Sequence, residues 1–211
     1  MKKKDKIKKI YTELEKLYPN VECQLNFSTD YELLFATRLS AQCTDVRVNK
    51  VTEVLFKRYK TLEDYANADF EEISNIVKSC GVYKMKAQNI IDSAKMILEV
   101  YNGKVPDNME DLLKLPGVGR KTANLILGEI YGKPAIIADT HCIRLSNRLG
   151  LCDSTDPVKV EMTLKNTIPE DYQTKFCHLL VWHGRNVCKA KNPNCKNCTV
   201  FPQCSFSKKD K

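Results

Sequence analysis

The chain has 211 residues, 43% of them hydrophobic and 28% charged, with a formal net charge of +8. That is an ordinary globular composition, at a length suited to one large domain or two small ones. No stretch approaches the roughly 20 apolar residues of a membrane span, and the Lys-rich start lacks the following apolar run of roughly 7–15 residues that a secretory signal carries. The expected location is therefore the cytoplasm, with the ten cysteines reduced or bound to metal.

The periodicity is helical almost throughout. Ile7, Ile10, Leu14 and Leu17 recur at helical spacing, and Pro19 stops that helix. Tyr31 to Leu39 and Val46 to Tyr59 read as two more helices, with the turn-prone Ser40–Thr44 between them. Asp69 to Cys80 reads as a short helix capped by Asp69 and ended by Gly81. Ala87, Ile90, Ile91, Ala94, Ile97 and Leu98 form the apolar stripe of a long helix that closes near Gly103. Met109 to Leu115 follows, with Asn108 as its cap, and then a glycine hairpin and a helix from Thr122 to Tyr131 that ends at Gly132 and Pro134. Asp139 caps a helix to Leu149, and Pro157 to Ile168 and Tyr172 to His183 complete the set. Val105 and Ile136–Ile137 are too short to argue for a sheet, so the expected class is all-α.

Charge is concentrated at the ends. Residues 1–10 carry a net +5 and residues 185–211 a net +6, which leaves the middle of the chain at −3. If the fold brings the two ends together, they present one surface to a polyanion.

Leu115-Pro116-Gly117-Val118-Gly119-Arg120-Lys121 is the most informative segment. Two glycines frame a tight turn, and two cations follow at the start of a helix, where the macrodipole favours acidic residues instead. Exposed amides, a positive helix end and two cations together suit a phosphate. The same surroundings favour the neutral amine of Lys121, and partial burial would add to this.

Cys188, Cys195, Cys198 and Cys204 form a C-x6-C-x2-C-x5-C pattern. Four thiols so close in a chain without a secretory signal favour a metal centre over disulfides. Zinc and an iron–sulfur cluster both accept four thiolates. Zinc ribbons usually supply two C-x2-C pairs, and only Cys195 and Cys198 make one here. The loop is also basic, with Arg185, Lys189, Lys191 and Lys196. Cys23, Cys43, Cys80, Cys142, Cys152 and Cys177 show no ligand spacing and are expected as small core or surface residues.

Leu115–Ala123, Asp139-Thr140-His141, Ser40–Asp45 (SAQCTD) and the terminal cysteine loop, in this order, resemble the endonuclease III family of the helix–hairpin–helix superfamily. The resemblance implies two helical domains flanking a DNA-binding cleft. One would be a helical barrel over residues 22–133 with the hairpin at about 108–131. The other would combine residues 1–21 and 134–211 and hold a [4Fe–4S] cluster in the loop 188–204. It further implies base-excision repair by a DNA glycosylase and AP lyase that acts as a monomer, at the nucleoid, on double-stranded DNA containing damaged pyrimidines or abasic sites.

Residue by residue, Lys121 matches the catalytic lysine and Asp139 the catalytic aspartate, which lies 18 residues further on. Asp139 also reads as a plain helix cap, and the two roles are compatible. Gln42 matches the residue that fills the gap left by a flipped base. Val82 stands where the family often has a leucine wedge, and it is shorter and stiffer than leucine. Gly117, Gly119, Arg120, His141, Arg185 and Lys191 are the remaining expected DNA contacts, with His141 also a candidate for simple packing. Two other readings stay open. One is a monofunctional adenine-mismatch-type glycosylase, which typically lacks the lysine. The other is a non-catalytic DNA-binding module.

Overall fold

The structure, a computed structural model, describes residues 3–206. Lys2, Lys208, Lys209 and Lys211 of the basic ends lie outside the described residues. Among those described there are eleven α-helices and four short 3₁₀ turns and no strand. The chain forms two compact units. One runs from Cys23 to Tyr131, and the other joins the segment ending at Glu22 to the segment beginning at Gly132.

In the Cys23–Tyr131 unit the helices start where short polar side chains accept first-turn amides. Thr29 and Glu32 form a reciprocal capping box for α2 (Asp30–Leu39), and Thr44 caps α3 (Asp45–Arg58). Thr61 and Asp64 do the same for α4 (Leu62–Ala66), a five-residue helix too short for its periodicity to show. Asp69 caps α5 (Phe70–Val77), which tightens into a 3₁₀ turn over Lys78–Cys80, so the single helix expected from Asp69 to Cys80 is two pieces. The long α6 (Tyr83–Tyr101) packs on α4 and α5. Its stripe of Ala87, Ile90, Ala94 and Ile97 is buried with Phe35, Leu39, Leu55, Tyr65 and Ile73. Tyr65 is the aromatic centre of this core, 4.8 Å from Phe35 and 5.3 Å from Tyr59 between ring centroids. Asn108 caps α7 (Met109–Leu112), which stops three residues earlier than expected because the chain must turn into the glycine hairpin. Beyond the hairpin comes α8 (Arg120–Glu129), packed on α2 and α7.

The second unit is built on α1 (Lys3–Leu17), α9 (Thr140–Arg148), α10 (Pro157–Lys165) and α11 (Gln173–Asn186). Helix α11 packs against both α1 and α9, burying Ile7, Ile10, Leu14, Leu145, Phe176, Leu179 and Leu180. Tyr11 stacks on Tyr172 at 4.3 Å. The first and last described segments touch, because Lys6 Nζ donates to Ser205 Oγ at 3.1 Å. No described helix is long and apolar enough to cross a membrane.

Candidate active site and cysteine loop

The turn between α7 and α8 depends on a glycine at 117. Its φ is +73°, and a Cβ there would meet the Arg38 guanidinium and, at 2.5 Å, Asn89 Nδ2. Any side chain at this point is strained by the backbone and blocked by its neighbours. Gly119 precedes α8 with open space where a Cβ would stand and no side-chain cap. The first turn of α8 contains no acidic residue, so its orphan amides and its positive end are left to an outside anion.

Arg120 and Lys121 are the first two residues of that helix. Arg120 is half-buried and Lys121 is exposed. The partial burial that would further favour the neutral amine of Lys121 is not found. Among the described residues Lys121 has no hydrogen bond or ion pair. Its charge is felt by Cys23. Burial pushes the Cys23 thiol up to about 11, Glu129 and Asp45 push the same way, and Lys121 opposes them.

Gln42 and Val82 are both exposed, on separate loops of the same unit. Each has a left-handed backbone, with φ of +57° and +47°. Val82 is the last residue before α6, and its carbonyl accepts from Lys86 N at 3.2 Å.

Asp139 caps α9, with Oδ1 accepting the Cys142 amide at 2.7 Å. Oδ2 has no hydrogen bond among the described residues, so the cap fixes the carboxylate and leaves one oxygen open. His141 packs against Gly184, where a Cβ would come within 2.6 Å of His141 Nδ1, and Arg144 Nη2 lies 3.1 Å from that nitrogen. This is a packing contact. It joins α9 to α11.

The four loop cysteines are all half-buried. Among the described residues no three His, Cys, Asp or Glu side chains close around a single metal ion. The thiols nevertheless act on one another. Burial pushes Cys198 up to about 11, and Cys188, Cys204 and Cys195 add to the rise. Side-chain nitrogens line two of the sulfurs. Arg148 Nη1 donates to Cys188 Sγ at 3.3 Å, and His183 Nε2 lies 3.3 Å from Cys198 Sγ. Burial holds the His183 imidazole down to about 4, so it is neutral. Arg148 also donates to the carbonyls of Lys189 and Ala190 at 2.7 and 2.9 Å and lies 4.7 Å over the Phe206 ring. Its own carbonyl receives the Ser205 amide and the Cys204 thiol. Arg144 holds the carbonyls of Gly184 and Cys188 at 3.1 Å. Four soft thiol donors with cationic and N–H neighbours fit a thiolate-bound iron–sulfur group. Arg185, Lys189, Lys191 and Lys196 stand exposed around this loop. Arg144 and Arg148 carried no motif, and at sequence level Arg148 is only a cation in the last turn of a helix.

The structure thus gathers Gln42, Val82, Gly117, Gly119, Arg120 and Lys121 in one unit. Asp139, His141, Arg185, Lys191 and the four cysteines lie in the other. The remaining cysteines behave as expected, with Cys80, Cys142, Cys152 and Cys177 buried and Cys23 and Cys43 half-buried.

An uncapped helix after a glycine hairpin, an exposed lysine in its first turn and a four-thiol loop define a class, and residues 35–170 match the sequence profile described as "HhH-GPD superfamily base excision DNA repair protein". Endonuclease III of Bacillus subtilis (strain 168) is 45% identical over 194 residues, 92% of this chain and 89% of that protein. Endonuclease III of Synechocystis sp. is 45% identical over 203 residues, 96% of this chain and 93% of that protein. Among solved structures, a trapped endonuclease III–DNA covalent intermediate in an estranged-adenine complex superposes with a TM-score of 0.92. It is 42% identical over 100% of this chain and 99% of that one. The chain belongs to the endonuclease III family of the HhH-GPD superfamily. It is a base-excision repair enzyme, a DNA glycosylase with AP lyase activity.

Proposed function

We propose that this enzyme removes oxidised pyrimidines from double-stranded DNA through Lys121, and then cuts the strand at the abasic site. The observation that carries this reading is an unpartnered, exposed lysine at the second position of a helix whose N-terminus no side chain caps. The relative trapped as a covalent intermediate with DNA supports it. The Nζ lone pair attacks C1′, the glycosidic bond breaks, and the base leaves with the bonding electrons. The amine then loses its proton, the C1′–O4′ bond opens with its electrons going to O4′, which takes up a proton, and an imine forms between Nζ and C1′. Removal of a C2′ proton then expels the 3′ phosphate by β-elimination.

Asp139 supports this chemistry with its open Oδ2, accepting a proton or facing the positive charge that develops on the sugar. The Gly117–Gly119 turn and Arg120 grip a phosphate, and His141, Arg185 and Lys191 add backbone contacts or the packing that supports them. Gln42 and Val82 fill the space left by the flipped nucleotide. Cys188, Cys195, Cys198 and Cys204 would hold a [4Fe–4S] cluster. When bound, the cluster supplies a rigid cross-link that fixes the basic loop. The enzyme works as a monomer in the cytoplasm, at the nucleoid.

Borohydride reduction on a duplex containing thymine glycol or an abasic site tests the reading. A covalent adduct that is lost in Lys121→Gln is the expected result. Base release without an adduct would instead make the enzyme monofunctional, and DNA binding with neither would leave a module without chemistry.

A further inference from the structure

Lys86 lies in α6 and is 2% exposed, a fully buried lysine. Among the described residues no carboxylate balances it. The groups acting on its ammonium are the thiols of Cys80 and Cys43 and the Arg38 cation, while burial pushes its pKa down. What holds the charge is backbone. Nζ donates to the carbonyls of Leu39 at 3.0 Å, Ala41 at 2.6 Å and Cys80 at 2.5 Å. An ammonium has three donors, and all three are used. A buried cation is costly unless its hydrogen bonds are complete, so these three carbonyls and the lysine hold one another in place.

The acceptors come from two segments far apart in sequence. Leu39 ends α2, Ala41 precedes Gln42, and Cys80 ends the 3₁₀ turn two residues before Val82. The Lys86 amide adds a fourth tie, to the Val82 carbonyl. Four described non-glycine residues have positive φ, namely Gln42, Val82, Asn102 and Asn192. Asparagine tolerates that region, whereas for a β-branched valine it is a true outlier. The two that are not asparagine are therefore the two beside the Lys86 pin. Strain of this kind persists only where the surroundings over-determine the backbone.

We propose that Lys86 is a positioning residue for base flipping. Its ammonium locks the Gln42 loop and the Val82 loop into one register, so that both side chains enter the DNA stack together. The proposal rests on the reading of Gln42 and Val82 as stack-filling residues. Lys86 does no chemistry, and its effect is confined to substrates from which a nucleotide must be extruded.

The test compares two substrates under single-turnover conditions, a thymine-glycol duplex and a single-stranded abasic oligonucleotide that needs no flipping. Lys86→Met is expected to slow duplex excision about tenfold or more while leaving single-strand cleavage within about twofold. Lys86→Arg, which keeps a cation with several donors, should recover part of the duplex loss. An equal loss on both substrates, or no loss on either, overturns the proposal. In a Gln42→Ala/Val82→Ala background, Lys86→Met should cost less than about twofold more, and a full further loss overturns the proposal. If the Gln42→Ala/Val82→Ala protein alone excises from duplex at the unsubstituted rate, the stack-filling reading itself fails, whatever Lys86 does. Amide hydrogen exchange on the unsubstituted protein needs no variant to fold. Residues 40–43 and 80–83 should open as one unit, and protection differing by more than about tenfold between the two loops overturns the pin.

Discussion

The Arg148 guanidinium lies 3.3 Å from the Cys188 sulfur, and the same residue's carbonyl accepts the Cys204 thiol. One arginine at the end of α9 thus touches the first and last cysteines of the loop. Replacing it with methionine removes the N–H donor to the Cys188 sulfur and leaves the Lys189 and Ala190 carbonyls without their partner. If the loop holds the proposed cluster, the expected result is an enzyme that loses iron more readily, read as faster decay of the absorbance near about 400 nm, with melting lowered by ~3–8 °C for a cost of about 1–3 kcal/mol. Retention equal to that of the unsubstituted protein would show that Arg148 does not brace the loop.

Gly117→Ala places a Cβ at φ +73° and against Arg38 and Asn89. Strain of this kind costs about 1–3 kcal/mol before any clash is counted. Thermal unfolding should fall by several degrees, and DNA binding should weaken as the hairpin turn shifts. A stable variant with normal DNA affinity would show that the turn tolerates a side chain.

Asp139 serves α9 and, in the proposed chemistry, the sugar. Asparagine still caps a helix but is not a carboxylate, whereas alanine does neither. Asp139→Asn should retain the melting temperature and lose most of its activity. Asp139→Ala should lose activity and about 0.5–2 kcal/mol of stability as well. If Asp139→Asn remained fully active, the residue would be a cap and nothing more.

Lys121 is exposed and without an ion pair among the described residues, so Lys121→Gln should change stability by no more than about 0.5 kcal/mol. A melting curve that overlays the unsubstituted one, together with loss of the borohydride adduct, separates a chemical role from a structural one.

Arg185 and Lys191 stand exposed beside the cysteine loop. If each neutralises a DNA phosphate, changing either to alanine should reduce the slope of log affinity against log salt by about 1. The loss in affinity should be the same for damaged and undamaged duplex. An unchanged slope would remove that residue from the interface.

Much of this protein is local information. The helix starts could be read at Asp69, Asn108 and Asp139, because a cap is a contact between a side chain and amides two or three residues away. The hairpin could be read from Gly117 and Gly119 for the same reason, and the thiol loop from its spacing. Boundaries slipped where neighbours decided them. Helix α7 stops short at Leu112, the segment from Asp69 to Cys80 divides at Val77, and α4 is too brief to show a period.

What the tertiary structure alone decided is which charged residues are structural. Arg148 bridges about forty residues to Cys188, and Lys86 reaches back to Leu39 and Ala41. A lysine or arginine on a helix is by default a solvated charge, and no short-range pattern marks the exceptions. The one trace in the sequence is that Lys86 sits four residues before Ile90, on the apolar stripe of α6. Whether a cation on that stripe finds acceptors depends on three carbonyls delivered by chain folding. The sequence by itself determined most of the helices, the hairpin, the family and the spacing of the four loop thiols, because each follows from short patterns along the chain. The fold decided how the Gln42 and Val82 loops are pinned and how the cysteine loop is braced, because both depend on hydrogen bonds between segments that meet only when the chain is packed.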